Sequence, residues 1–122
     1  MRYATLAFLL VFGVFGMMAP AAVQATPAPV ITVDVTGEDP VFDTDTFVNV
    51  QATIGGTTGN YYYNVTVKIN GNTMHNKNYL GSGATIDRAV STTGWGIYDA
   101  GNTIEFKVTV SGVFDTYSQT IQ

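Results

Sequence analysis

The sequence predicts an all-β protein: an antiparallel β-sandwich of about seven strands, preceded by a hydrophobic N-terminal signal segment. Three observations carry this prediction. Apolar and polar residues alternate with period two in run after run beyond Pro29. Turn-forming pairs such as Asn70-Gly71 and Ser111-Gly112 separate those runs. After the first 25 residues, no segment sustains the i, i+3, i+4 apolar spacing of an amphipathic helix.

The first 25 residues read as a secretory signal peptide. Met1-Arg2-Tyr3 supplies a short charged start, Ala4 to Met18 an apolar run, and Val23-Gln24-Ala25 the small residues that signal peptidase needs before Thr26. An uncleaved membrane anchor is the alternative, because Leu6 to Val23 approaches the roughly 20 residues a spanning helix requires. Gly13, Gly16 and Pro20 weaken such a helix, and contact with a membrane is expected only through this segment if it stays uncleaved. Removing 25 residues from 122 leaves 97, enough for one sandwich domain, residues 26–122, and too few for a second.

Four strands are clear in the alternation. Val30 to Thr36 sets Ile31, Val33 and Val35 on one side against Thr32, Asp34 and Thr36 on the other. Phe47 to Ile54 turns Val48, Val50, Ala52 and Ile54 inward, and Tyr61 to Asn70 does the same with Tyr63, Val65, Val67 and Ile69. Thr103 to Val110 is the cleanest, with Ile104, Phe106, Val108 and Val110 facing away from Thr103, Glu105, Lys107 and Thr109. Strands with one apolar face require a second layer to cover them. Asn70-Gly71 predicts a two-residue hairpin turn, in which both central residues take positive φ, followed by a polar strand through Thr73 to Asn78. Gly55 to Asn60 is a loop, Gly81-Ser82-Gly83 a turn, Thr85 to Val90 a further strand, and Phe114 to Ile121 the last.

Composition narrows the function classes. The exported chain would carry Lys68, Lys77, Arg88 and Lys107 against nine acids, a net side-chain charge of −5. No basic stripe is available to neutralise phosphates, so no nucleic-acid partner is expected. Charged residues make up only 11% of the chain, so Thr, Asn and Gly carry its polarity, as suits a weakly charged external surface. The absence of cysteine leaves an exported domain without disulfides, reliant on core packing, a partner subunit or pairing of its sheet edges.

Tyr98-Asp99-Ala100-Gly101-Asn102, placed directly ahead of the Thr103 strand, is similar to the corner before the penultimate strand of immunoglobulin-like folds, and Trp95 lies close by. The stretch from Phe47 to Val110 resembles the immunoglobulin-like extracellular modules of bacterial and archaeal surface proteins, including their cell-adhesion-related domains. That resemblance, one of pattern, implies an immunoglobulin-like sandwich acting in adhesion, scaffolding or assembly at the cell exterior, with no catalytic residues to carry over.

The residues themselves offer little chemistry. His75 is the only histidine and sits in a polar strand, no serine occupies a Gly-x-Ser-x-Gly elbow, and without cysteine no structural zinc set exists. Glu38 to Asp45 is the densest acidic run, better read as a solvated linker around Pro40 than as a calcium loop. No enzyme activity, cofactor or metal is therefore expected. Asn64-Val65-Thr66 is an N-glycosylation sequon with Asn64 facing outward. Aromatic residues exceed what one small core can hide, and Tyr62 with Trp95 forms a candidate binding surface for a sugar or a protein.

The N-terminal strand, residues 29–36, is the principal functional candidate. Stiff Thr26-Pro27-Ala28-Pro29 precedes it and Gly37-Glu38-Asp39-Pro40 sets it apart from the rest. Either it is the first strand of its own sandwich, or Val30, Ile31, Val33 and Val35 insert into the open sheet of a second copy, giving a homo-oligomer or filament.

Overall fold

The computed structural model describes residues 29–122, so the signal segment, its cleavage site and Thr26-Pro27-Ala28 lie outside the described residues. Within them the alternating runs become seven strands and no helix. These are β1 (Thr32–Val35), β2 (Phe47–Gly55), β3 (Asn60–Ile69), β4 (Asn72–Ser82), β5 (Thr85–Ser91), β6 (Thr103–Val110) and β7 (Val113–Thr120). They form two antiparallel sheets, one of three strands in the order β1-β2-β5 and one of four in the order β4-β3-β6-β7.

The inward faces are those the alternation predicts. Val48, Val50, Ala52 and Ile54 of β2 are buried in the same core as Val65, Val67 and Ile69 of β3 and Ile104, Phe106, Val108 and Val110 of β6. β5 adds Ile86 and Val90, and Val41 and Ile121 close the end where the chain finishes. Each such side chain contributes about 1.5–3 kcal/mol by leaving water. Asn70 and Gly71 have φ of 50° and 83°, so the β3–β4 hairpin turns as its sequence demands and keeps β4 in the larger sheet.

Most strand ends fall within a residue of the sequence reading, and two segments depart further from it. β4 runs to Ser82, past the turn expected at Gly81, because Tyr61 and Asn60 continue to pair with Gly81 and Ser82. The first strand is regular only over Thr32–Val35, and Val30, 80% exposed, stands outside both the ladder and the core. Tyr98 is buried, and its hydroxyl donates across the molecule to the Phe42 carbonyl (2.7 Å).

Two consequences of this layout position the candidate sites. β1 starts beside the end of β2, whereas β7 ends beside the start of β6, so residues 29 and 122 leave from opposite ends of the sandwich. The larger sheet also has one more strand than the smaller, and the surplus is β4, none of whose side chains is buried.

Candidate functional site

The first strand is in place beside its own β2. Thr32, Val33, Asp34 and Val35 pair with Gly55, Ile54, Thr53 and Ala52, and the Thr36 amide donates to the Gln51 carbonyl at 2.9 Å. That bond fixes the alternation: the backbone groups of Val33 and Val35 point away from β2, toward β7. Of the four residues expected to form an exchangeable strand, Val35 is buried, Ile31 and Val33 are partly buried against the core, and Val30 is in solvent.

No backbone ladder joins β1 to β7, although the two edges lie side by side. Side chains bridge the seam instead. Alternate residues of β7 reach across in turn: the Asp115 carboxylate accepts the Val35 amide (2.8 Å), the Tyr117 hydroxyl donates to the Asp39 carboxylate (2.8 Å), and the Gln119 Oε1 accepts the Val41 amide (2.9 Å). The Gln119 amide also donates to the Glu38 carbonyl, and Glu38 Oε1 accepts the Asn49 amide of β2 at 2.8 Å. The bond to Asp39 holds the Tyr117 phenol above its ordinary pKa. Below the seam, Gln122 accepts from Asp43 (2.7 Å) and donates to Val41 (2.9 Å), so the connector after Pro40 is pinned to the chain's last residue. In the acidic run the Glu38 and Asp45 carboxylates thus accept the Asn49 and Phe42 amides, and the Asp39 carboxylate accepts the Tyr117 hydroxyl.

The predicted aromatic surface divides in two. Tyr62 projects from the outer face of β3, 75% exposed and paired in register with Leu80, 55% exposed, to give a small apolar spot. Trp95 lies in the connection between β5 and β6, at the opposite end, half-buried edge-on against Tyr98 with ring centroids 6.1 Å apart. These two rings do not form one surface. Asn64 does face outward, but both hydrogens of its amide are engaged, by Asn76 Oδ1 (2.7 Å) and Asn78 Oδ1 (2.9 Å), while its oxygen accepts from Thr66 (2.8 Å). A glycan on that nitrogen would replace one of these bonds.

Sequence reasoning missed a cluster on the inner side of the surplus strand. Arg88 of β5 lies 4.2 Å over the ring of Tyr79, and its Nε and Nη2 donate to the Tyr63 hydroxyl at 3.2 and 3.1 Å. His75 Nε2 is 2.9 Å from the Tyr79 hydroxyl, the two rings lying nearly parallel. Partial burial, reinforced by the nearby Lys77 charge, lowers the His75 pKa. Tyr61 continues the row, its ring centroid 6.3 Å from that of Tyr63 and its hydroxyl donating to the Gly83 carbonyl. The signal was legible as Tyr63 opposite Tyr79 in the Asn-Gly hairpin, but placing Arg88 above that pair requires knowing that β5 crosses to the other sheet.

Among the described residues, no group of three His, Cys, Asp or Glu side chains is placed to hold a metal ion. No protein-family model matches the chain, and no curated protein does.

Proposed function

We propose that this protein is an exported, non-enzymatic structural subunit of the cell surface, joined to further copies by exchange of its first strand. The observation that carries the reading is the seam. β1 has a four-residue ladder on one side only, one fully buried side chain, and side-chain clasps where a backbone ladder would otherwise lie. A strand held this way has less to lose on leaving than any other in the domain. Its place beside β2 in a second copy would restore the same contacts, so exchange is nearly neutral in energy and adds intermolecular connectivity.

Deleting residues 26–36 should abolish assembly while leaving a chain that captures an added peptide of the same sequence. Negative-stain electron microscopy of the exported protein, with N-terminal sequencing of the same sample, reads this directly. Fibres that begin at Thr26 support the proposal, and a deletion variant that assembles normally refutes it. A second reading, a monomeric adhesion or carbohydrate-binding module, is favoured by the exposed Tyr62–Leu80 pair, and Tyr62→Ala should then reduce ligand retention without loss of fold.

A further inference from the structure

Of the four strands that border the two sheets, three are blunted as pairing edges. β1 is four residues long, β7 faces it across the side-chain clasps, and β5, seven residues long, carries Asp87 and Arg88 side by side. β4 differs from all of them: it has eleven residues, no proline, and Lys77 as its only formal charge at neutral pH. Its free backbone groups can be assigned. The Asn70 amide donates to the Thr103 carbonyl of β6 at 2.9 Å, so by alternation Lys68, Thr66 and Asn64 also turn their backbone groups to β6. Val67, Val65, Tyr63 and Tyr61 then turn theirs to β4, where they meet His75, Lys77, Tyr79 and Gly81. That leaves the amides and carbonyls of Asn76, Asn78 and Leu80 pointing out of the sheet, with no backbone partner among the described residues.

We infer that this edge is an interface to a second copy of the chain, the two β4 strands pairing antiparallel about a twofold axis at Asn78. The side chains on the edge are self-complementary. Asn64 gives its two amide hydrogens to Asn76 Oδ1 (2.7 Å) and Asn78 Oδ1 (2.9 Å), which fixes both exposed side chains. Among the described residues their Nδ2 groups have no partner, and each oxygen keeps a second lone pair. Asn78 can therefore both donate to and accept from Asn78 of the second copy, extending the amide ladder across the axis. Charge favours the same meeting. All nine acids lie outside residues 46–86, so two exported chains of −5 can bring β3 and β4 together without acid facing acid. Lys77 sets the register: centred on Asn78, the pairing places Lys77 opposite Tyr79, His75 opposite Gly81 and Asn76 opposite Leu80 of the second copy. Centred one residue earlier, it would oppose the two Lys77 side chains directly. The pairing joins two four-stranded sheets into one of eight, and the contact is closed because each copy uses the same strand. It is independent of strand exchange, since β4 borders the sandwich on the side away from the β1–β7 seam.

The chain has no cysteine, so single-cysteine variants of the exported protein report the axis directly. Facing residues of a hydrogen-bonded antiparallel pair have Cα atoms about 5.5 Å apart, within reach of a disulfide. In oxidised glutathione, Asn78→Cys should form a covalent dimer on a non-reducing denaturing gel about tenfold faster or more than two controls. One is Asn76→Cys, whose counterpart lies about 14 Å away along the strand. The other is Ser118→Cys, equally exposed but on β7. Sedimentation of the soluble protein should show a weak dimer that grows with concentration. Asn78→Pro, which removes an N–H that faces away from β3, should weaken that dimer about tenfold or more and keep a cooperative thermal transition. Should the proline variant fail to fold, the cysteine series decides alone. Monomer at every concentration up to about 1 mM, unchanged dimerisation in a folded Asn78→Pro, or equal cross-linking of Ser118→Cys and Asn78→Cys would overturn the interface. Fibres in which Asn78→Cys does not cross-link would leave the first-strand reading standing and refute this one.

Discussion

Gly56→Ala probes the seat of the first strand more sharply than any change within it. Gly56 has φ of +80°, and a Cβ built there would stand 2.1 Å from the Val30 carbonyl oxygen and 2.7 Å from its carbon. Carbon and oxygen in ordinary contact are about 3.3 Å apart, so the segment 30–31 must retreat by roughly 1 Å. Two costs then add. The left-handed backbone conformation is worth about 1–2 kcal/mol against alanine, offset by about 0.4–1 kcal/mol from the stiffer unfolded chain. Moving the lead-in to β1 also withdraws part of Ile31 from the core and strains the Thr32–Gly55 pair, about 1–2 kcal/mol more. Gly59 supplies the control, with φ of +66° and nothing within 4 Å of a built Cβ, so Gly59→Ala bears the first cost alone. Urea denaturation should place Gly56→Ala about 1–2 kcal/mol below Gly59→Ala at unchanged m, or about 4–15 °C lower in Tm for a domain of this size. Equal destabilisation of the two variants would mean that Val30 and Ile31 do not rest on Gly56, and the account of how β1 is seated would be wrong.

Other perturbations address neighbouring parts of the argument. Val35→Ala removes two buried methyl groups and should cost about 2 kcal/mol in chemical denaturation, the largest single contribution from β1. Asp115→Ala deletes the acceptor for the Val35 amide and should cost about 1–2 kcal/mol, whereas Asp115→Asn, which keeps an acceptor oxygen, should restore most of it; equal losses would show that the carboxylate's charge, not its hydrogen bond, matters. Tyr98 has its phenol pKa pushed up to about 12, chiefly by burial and then by Asp45, Glu38 and Asp43. The fold therefore favours the neutral phenol: stability is unaffected below pH 10 and falls as pH rises from 10 to about 12. Tyr98→Phe should cost about 1 kcal/mol at neutral pH, from the lost bond to Phe42, and should flatten that alkaline fall when unfolding is measured across the window.

Period-two patterning was enough to identify the strands and their buried faces, because each strand has one side in the core and one in water. Thr103–Val110 matches its expected bounds residue for residue. Pairing between sheets was not legible in the same way. Nothing local to Thr85–Ser91 says that Ile86 and Val90 face the larger sheet, or that Arg88, sharing their side, finds Tyr63 at the margin. The clasp was nearly legible. Asp115, Tyr117 and Gln119 occupy the inward positions of β7, where a central strand would show Val or Ile. Polar residues at that period mark an edge strand whose inner face meets another segment's backbone. The aromatic excess was visible, but Tyr62 and Trp95 sit at opposite ends because strand direction, not sequence distance, sets their separation.

The opposed exits of residues 29 and 122 also determine how the domain would respond to being pulled. Tension between them runs along the strands, so each ladder is loaded in shear, with its hydrogen bonds strained together instead of one after another. The four-pair ladder of β1, the Asp115 clasp and the single bonds that hold Thr36, Glu38 and Asp39 would yield before the eight pairs joining β6 to β7. Yielding there frees the chain from residue 29 to residue 40, about 40 Å when extended, while Gln119 and Gln122 still grip Val41 and the core beneath stays closed. The first strand thus acts as a mechanical fuse: under load, the molecule lengthens before it unfolds.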